Sequence, residues 1–291
     1  MRFFEKHPMT MILIGILGIS LSSIFVKYSE APSGVTAAWR LLWTVLFLSP
    51  ALFFRRESRE ELQHLAPKTA LLCILSGIFL AIHFVLWFES LSLTTVAAST
   101  AIVCTEVIWV SLGFLLFGGK ISLRAALAIA VTLLGSVLIA WGDFGDVSQF
   151  SGDILSLLAA IAVAVYTLIG RSVRKNTSTT VYTWVVYAAC AGVLLVYTLV
   201  RNTGLLAYGI SAPVVGLLLA IFSTLLGHSI FSWCLRYFSP SFVSASKLCE
   251  PVISAILAAF LFAESPTFLQ ILGGGLILGG VLYYSKIEAK Q

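Results

Sequence analysis

The chain has 291 residues, of which 59% are hydrophobic and only 11% are Asp, Glu, Lys or Arg. Soluble domains carry about 25% charged residues, so this chain has less than half of the usual supply for a water-exposed surface. Its mean hydropathy of +1.01 excludes an ordinary soluble domain and indicates a protein embedded in a lipid bilayer.

Ten apolar runs, cut by short polar or Pro/Gly-containing breaks, predict ten transmembrane helices. A span needs about 20 residues, so ten spans leave about 90 residues for loops and tails and no room for a soluble catalytic domain. The predicted fold class is an all-α polytopic membrane protein. We expect helices at 9–28, 34–54, 69–91, 95–117, 123–141, 153–171, 180–200, 212–235, 241–262 and 267–285.

Lysine and arginine residues predict the orientation of these spans. If the N-terminus is cytoplasmic, 14 of the 18 lysines and arginines fall on the cytoplasmic side, as the positive-inside rule requires. The connection at 142–153 carries three aspartates and no cation, and falls on the outer side. We therefore expect a multi-pass protein of the cell membrane (plasma or inner membrane) with both termini in the cytoplasm. The net charge of +5 reflects the cytoplasmic loops and gives no reason to expect nucleic acid as a partner.

An internal repeat divides the chain into two halves. A shift of 144 residues places Glu106 on Glu250, and two glutamates inside predicted helices at one offset are hard to obtain by chance. Five helices in each half is an odd number, so the halves insert in opposite orientations, as in many secondary transporters. We expect inverted five-helix repeats at 1–146 and 147–291 within one membrane domain. A duplicated scaffold without a transport role is the alternative.

Four charged residues lie more than one helical turn from the ends of the predicted spans: Arg40, Glu106, Lys247 and Glu250. Each charge costs about 2.5–3.5 kcal/mol at a helix centre, so these side chains should face one another or a water-filled cavity. Lys247 and Glu250 are three residues apart, and a local ion pair within their helix is the structural alternative to a binding role. Glu106 has no such neighbour, so Arg40 or Lys247 must reach it across the bundle, or it must be protonated. Glu106 is therefore the strongest candidate for binding a substrate or a proton.

Two histidines lie in corresponding spans of the two halves. His83 has Trp87 one turn later, and His228 is flanked by Thr224 and Ser232 at four-residue spacing. Under the shift of 144 residues the two histidines are one position out of register, so they are not strict equivalents. A single membrane histidine is often a packing residue, but two histidines with polar or aromatic companions favour a role in the site.

The remaining motifs predict no catalysis, no metal and no cofactor. The five cysteines lack C-x-x-C spacing and are expected to be packing residues rather than metal ligands or disulfides. Neither an H-E-x-x-H motif nor a G-x-S-x-G elbow occurs in the sequence. Gly275 and Gly279 form a G-x-x-x-G pair, which close helix packing explains and for which a homodimer contact is the alternative.

The chain resembles EamA-type permeases of the drug/metabolite transporter superfamily over residues 9–285. The stretches that carry the resemblance are His83–Trp87 with the following Leu91–Ser99, Gly227-His228 through Glu250-Pro251, and Ala164–Leu168 before the basic Arg171–Lys175. Val107 stands where the family has a proline after the first glutamate, which makes a hinge in helix four less expected. Lys120 replaces a common loop glutamate, and Ser20-Leu21 replaces a common Trp-Gly pair.

The resemblance implies ten helices in two inverted repeats around a central cavity. It implies a secondary transporter that moves a small polar or amphipathic metabolite by alternating access, with export of amino-acid-like compounds as the family default. Proton coupling is a hypothesis that Glu106 and the two histidines motivate. A permease subunit that needs a separate energising partner and an intramembrane enzyme remain alternatives. The implied substrate-binding residues are His83, Trp87, Glu106, Tyr166, His228, Lys247 and Glu250.

Overall fold

The structure is a computed structural model that describes residues 8–94, 96–140, 150–262 and 268–288. Within these residues the chain folds into α-helices and one π-helix, without a β-strand. The first half contains α1 (Pro8–Ser20), α2 (Ser22–Lys27), α3 (Ser33–Phe53), α4 (Arg56–Gln63), α5 (Pro67–Leu93), α6 (Val96–Val103), α7 (Glu106–Leu116) and α8 (Leu123–Ala140). The second half contains α9 (Phe150–Val173), α10 (Thr179–Val200), α11 (Ser211–Leu218), the π-helix Leu219–His228, α12 (Ser229–Cys234), α13 (Pro240–Lys247), α14 (Glu250–Phe262) and α15 (Phe268–Glu288).

Seven helical stretches of the described chain are long and apolar enough to cross a membrane. They are Pro8–Lys27, Ser33–Phe53, Pro67–Leu93, Ser99–Leu116, Phe150–Val173, Thr179–Val200 and Ser211–Cys234. Two shorter apolar helices are Leu123–Leu138 and Ile271–Ile287. These helices fit the polytopic, all-helical membrane protein that the composition predicts, whereas the number of ten spans stays a prediction. The predicted acidic connection at 142–153 lies mostly outside the described residues.

Proline and serine residues determine where several helices begin. α5 begins at Pro67, whose missing amide hydrogen costs nothing in the first turn of a helix. Ser178 Oγ accepts the Val181 N–H at the start of α10, which satisfies one of the free amides of that first turn. The backbone N–H of Ser178 in turn donates to Glu61 Oε1 at 2.6 Å. This bond ties the short helix α4 to the start of α10.

Two of the predicted spans are broken in the middle, at matching positions in the two halves. α6 ends at Val103 and α7 begins at Glu106, while α13 ends at Lys247 and α14 begins at Glu250. The two breaks are 144 residues apart, which is the offset of the sequence repeat.

The first break was less expected, because Val107 rather than proline follows Glu106. The backbone N–H of Thr105 donates to the Ile102 carbonyl oxygen at 3.0 Å, and Thr105 Oγ1 donates to the same oxygen at 2.7 Å. These two bonds close a tight turn at the end of α6, and the hydroxyl competes with the helical bonding pattern. A threonine therefore interrupts the helix where the sequence lacks a proline.

Helices of one half pack mainly against helices of the other half. α5 packs along α9, and α1 packs along the π-helix, so the first span of each half lies against the third span of the other. α3 pairs with α10, and α8 pairs with α15. The broken spans also meet, because α7 contacts α13 and α6 contacts α14. This packing brings the two helix breaks together inside the bundle.

The glycines of α15 fall into two groups that differ in their neighbours. A Cβ on Gly280 would lie 2.5 Å from Thr132 Cγ2 and 3.1 Å from the Ala128 carbonyl oxygen, so this glycine allows α15 to approach α8 closely. A Cβ on Gly275 or Gly279 would meet no described atom within 4 Å. Packing within the described chain therefore does not explain the G-x-x-x-G pair, which corrects the first interpretation of that motif.

Gly280→Leu should lower the stability of the purified protein, because the added side chain meets α8 and overpacking costs about 1–3 kcal/mol. Gly192→Leu in α10 is the matched control, because a Cβ on Gly192 would meet no described atom within 4 Å, and it should leave the thermal unfolding midpoint close to that of the wild type. Thermal unfolding in detergent, followed by intrinsic fluorescence, measures both variants. An equal loss of stability in the two variants would contradict the packing of α15 on α8.

Candidate functional site

A small buried cavity lies where the two broken spans meet α1, α2, α3, α5, α9 and the π-helix. Its volume is about 40 Å³. A water molecule takes up about 30 Å³ of liquid water, so the cavity has room for water but not for an organic metabolite. Its polar lining residues are at most 9% exposed, so the cavity lies inside the helix bundle. These residues are Ser22, Arg40, His83, Trp87, Glu106, His228, Lys247 and Glu250.

A buried ion pair joins the two broken spans across this cavity. Lys247 Nζ donates to Glu106 Oε1 at 2.8 Å, and the two side chains are only 9% and 6% exposed. Glu106 begins α7, where the helix dipole favours a negative charge, and Lys247 ends α13, where the dipole favours a positive charge. Lys247 Nζ also lies 5.5 Å from the centre of the Phe231 ring. Of the partners that the sequence allowed for Glu106, the structure selects Lys247.

The local ion pair between Lys247 and Glu250 does not form. The helix ends at Lys247 and restarts at Glu250, so the two residues do not share the helical turn that the spacing of three assumed. Glu250 is 7% exposed, and its carboxylate makes neither an ion pair nor a hydrogen bond with any residue of the described chain. Of the two glutamates related by the repeat, one is therefore paired and the other is not.

Arg40 is a second buried cation in the wall of the cavity. Its Nε donates to Thr224 Oγ1 at 2.7 Å and its Nη1 donates to Ser22 Oγ at 3.2 Å. The guanidinium carbon lies 4.2 Å from the centre of the Phe84 ring, close enough for a cation–π interaction. Thr224 belongs to the π-helix, a conformation that is rare and frequent at functional sites. Hydroxyl groups and the rings of Phe84 and Phe88 thus hold Arg40. It forms no ion pair with a carboxylate of the described residues.

The two histidines meet in the cavity although they are out of register in the repeat. Their ring centres are 6.3 Å apart. His83 stacks on Trp87 with ring centres 5.9 Å apart, and His83 Nδ1 donates to the Ala159 carbonyl oxygen at 3.1 Å. The ring of His228 packs against the ring of Tyr166, with ring centres 6.1 Å apart. Aromatic contacts from both halves therefore form one side of the cavity.

Comparison with known protein families identifies the family of this chain. The model of the EamA-like transporter family matches residues 8–141 and, a second time, residues 150–286. The chain belongs to the EamA-like transporter family. This family is part of the drug/metabolite transporter superfamily, which confirms the resemblance found in the sequence.

Relatives of this EamA-like chain are named as transporters over nearly its whole length. The uncharacterized transporter YxxF of Bacillus subtilis (strain 168) is 22% identical over 281 residues, which cover 95% of this chain and 87% of that protein. The uncharacterized transporter sll1319 of Synechocystis sp. is 25% identical over 285 residues, which cover 94% and 86%. One solved crystal structure covers 98% of both chains with a TM-score of 0.76, and at 17% identity it shows a shared fold alone. Together, the family and its named members indicate a membrane transporter.

Six of the seven predicted site residues line the cavity of this family member. The exception is Tyr166, which lies behind His228 and whose hydroxyl is 2.8 Å from Ser232 Oγ. Arg40 also lines the cavity. Its sequence position predicts a buried charge but does not assign it to the site. Ser22 could not be predicted as a lining residue, because a serine in an apolar run does not reveal which side chains it contacts.

Glu106→Gln should destabilise the protein by about 3–5 kcal/mol, because it leaves the buried Lys247 ammonium without a counter-charge. The double variant Glu106→Gln with Lys247→Met should recover much of this loss, since it removes both charges. Thermal unfolding of purified variants measures the effect.

The exposed pair Arg56–Glu60 supplies the control for this experiment. Its side chains are 83% and 50% exposed, so Arg56→Gln should cost no more than about 1 kcal/mol. A Glu106→Gln variant as stable as Arg56→Gln would show that the ion pair of the cavity does not hold the two halves together.

Proposed function

We propose that the protein is a secondary transporter that carries a small polar or amphipathic metabolite across the cell membrane by alternating access. The observation that carries this proposal is the central cavity, which is buried in the bundle, lined by charged residues and built from both broken spans. Buried charges inside a membrane bundle are expensive and mark substrate or ion pathways. We propose that the substrate binds at His83, Trp87, Glu106, His228, Lys247 and Glu250, with Tyr166 supporting His228.

We further propose that the chain consists of ten spans in two inverted repeats, 1–146 and 147–291, with both termini in the cytoplasm. The double match of the family model supports the duplication. The helix breaks at one offset of 144 residues support it as well. So does the exchanged packing, in which α5 lies on α9 and α1 lies on the π-helix. Such repeats rock against each other around a fixed midplane site in many secondary transporters.

The narrow cavity has to change shape during a transport cycle. At about 40 Å³ it must enlarge before a metabolite can enter. The turns between α6 and α7 and between α13 and α14 are points at which the helices can bend, because their backbone bonding is already interrupted. Opening toward either side then separates surfaces of the two halves while the substrate stays near the breaks.

We propose Glu250, rather than Glu106, as the group that binds a proton or a positively charged part of the substrate. Glu106 is engaged with Lys247 at 2.8 Å, whereas the Glu250 carboxylate has no partner in the described chain and faces the same cavity. A carboxylate without a counter-charge in the membrane interior is readily neutralised by a proton. In this proposal, protonation of Glu250 couples transport of the metabolite to protons.

Three further features of the proposal come from the family and the sequence. Export of amino-acid-like metabolites is the family default. The open face of α15 at Gly275 and Gly279 favours a homodimer contact. A permease subunit that needs an energising partner is the alternative function, and it predicts that the purified protein alone moves nothing.

Purified protein in liposomes should release metabolites without ATP or a partner subunit. Liposomes loaded with a mixture of amino acids, amines and organic acids, and sampled by mass spectrometry, would identify what moves. An imposed pH gradient should change the rate in the wild type, and Glu250→Gln should lose that response.

Glu89→Gln is the matched control, because this glutamate is exposed and bonded to Ser33 Oγ at 3.0 Å outside the cavity. It should keep the pH response. Release that is indifferent to the gradient in the wild type would rule out proton coupling, and no release of any metabolite would favour the permease subunit.

A further inference from the structure

We infer that a cleft between α5, α7 and α9 binds an anionic phospholipid, with the phosphate at Arg171 and Lys175 and an acyl chain against an apolar wall. The cleft shares no described lining residue with the central cavity. Lipid binding there is therefore independent of the proposed transport. Its occupant is a lipid of the surrounding membrane and not the transported metabolite.

The cleft lies at one end of the bundle, where three helices begin or end. α5 begins at Pro67, α7 ends at Leu116 and α9 ends at Val173. This is the end that the distribution of cations predicts to be cytoplasmic. The cleft has a volume of about 600 Å³, within the range of about 300–1,000 Å³ that is usual for binding sites of small molecules. At the end of a membrane bundle it borders both the acyl chains and the headgroups of the bilayer.

Apolar side chains from all three helices form the inner wall of the cleft. They include Leu72 of α5, Phe114 and Phe117 at the end of α7, and Leu168 and Ile169 of α9. Phe117 is 84% exposed, so the described chain covers little of this ring. An acyl chain that lies in the cleft contacts surface that only lipid can cover.

A turn of two glycines determines where α7 ends beside the cleft. Gly118 has a φ of +82°, which glycine adopts without strain. Its N–H donates to the Leu115 carbonyl oxygen at 3.0 Å, and the N–H of Gly119 donates to the Phe114 carbonyl oxygen at 2.8 Å. These two bonds form a Schellman motif. A Cβ on Gly119 would lie 2.5 Å from the Phe114 ring, so the chain passes close to this ring as it leaves the helix.

Cations line the polar end of the cleft. Arg171 lies in the last turn of α9, with Ser172 beside it and Lys175 just beyond the helix. Nη1 of Arg171 donates to the carbonyl oxygens of Leu235 and Phe238, which hold this side chain in place. Lys175 is exposed and forms no ion pair with a carboxylate of the described residues. No Asp or Glu is among the described lining residues, so the polar end is positively charged.

The two ends of the cleft together select an anionic phospholipid. The dipole at the end of α9 is equivalent to roughly half a negative charge, which leaves most of the charge of two cations to be balanced by a ligand. Phosphate oxygens pair well with arginine and lysine, and basic pockets between transmembrane helices bind phospholipid headgroups. A free phosphate ion would leave the apolar wall uncovered. A lipid without net charge would leave the cations without a counter-charge.

A second cleft, of about 520 Å³, lies at the opposite end of the bundle and has a different charge. It is lined by Ser33, where α3 begins, and by Val200, where α10 ends. Its described charged lining residues are Glu89 and Arg201, whose charges cancel. Only the first of these two clefts therefore attracts an anionic headgroup.

Lipids with matched acyl chains test the site in the full-length, detergent-purified protein. Dioleoyl-phosphatidylglycerol is anionic and dioleoyl-phosphatidylcholine has no net charge, and native mass spectrometry measures a dissociation constant for each. The anionic lipid should bind about tenfold more tightly. Lys175→Gln should reduce this ratio to about two, because one cation near an anionic headgroup contributes about fivefold in affinity. Arg171→Gln combined with Lys175→Gln should reduce it to about one.

Arg59→Gln is the matched control for the loss of an exposed cation at the same end of the bundle. Arg59 is exposed on α4, which packs against α3 and α10, and neither of these helices lines the cleft. This variant should keep the tenfold preference. Because Lys175 is exposed as well, Lys175→Gln alone tests the site if the double variant does not fold.

Inorganic phosphate and sn-glycerol 3-phosphate test whether the acyl chains are needed. Phosphatidylglycerol should raise the thermal unfolding midpoint, because it binds the native state, whereas these two anions should leave the midpoint unchanged. An equal rise with inorganic phosphate would indicate a site for a free anion and contradict the lipid. Equal binding of the two lipids, a full preference in Lys175→Gln, or an equal loss in Arg59→Gln would each contradict the site at Arg171 and Lys175.

Discussion

The centre of the bundle is organised by one buried contact, the ion pair between Glu106 and Lys247. Neither charge can remain in a bilayer without compensation, so the pair draws the broken fourth and ninth predicted spans together. The ends of α7 and α13 reinforce it, because each helix dipole favours the charge that lies at its end. The helix breaks also position these two side chains, which lie at the helix ends next to them. The same ion pair thus belongs both to the packing of the two broken spans and to the candidate site.

The cavity differs from an ordinary membrane core because its charges are only partly matched. One cation and one carboxylate satisfy each other, whereas Arg40 and Glu250 face the cavity without an ionic partner in the described chain. Hydroxyl groups and aromatic rings surround the guanidinium of Arg40. They bury it almost completely and fix its position. The lining charges balance in number, two cations and two carboxylates, but Arg40 and Glu250 each lack an ion-pair contact, which water, a proton or a substrate can supply. A transport site requires charges that are compensated only for a time, because its occupant must also leave.

Much of the fold follows from composition and periodicity, because apolar runs and cation placement reflect the bilayer itself. The offset of 144 residues paired Glu106 with Glu250, the residues at which the helices restart after the two breaks, but it did not predict the breaks themselves. The break at Thr105 was not predictable, because a threonine hydroxyl, not proline, closes the turn. The choice of Lys247 over Arg40 as partner of Glu106 depends on distances between helices, which a sequence pattern does not contain. For the same reason, no sequence pattern indicates that Ser22 lines the cavity.

Accessibility of the cavity from each side of the membrane tests the central claim most directly. Ser22→Cys would be placed in a protein whose five native cysteines, all buried, are replaced by alanine. A membrane-impermeant thiol reagent, added from either face of oriented proteoliposomes, should label this cysteine from both sides. Ser20→Cys is the control: it is equally buried, does not line the cavity and should stay unlabelled. Labelling of Ser22→Cys from both faces is the result that alternating access predicts, and labelling from one face or from neither would contradict it.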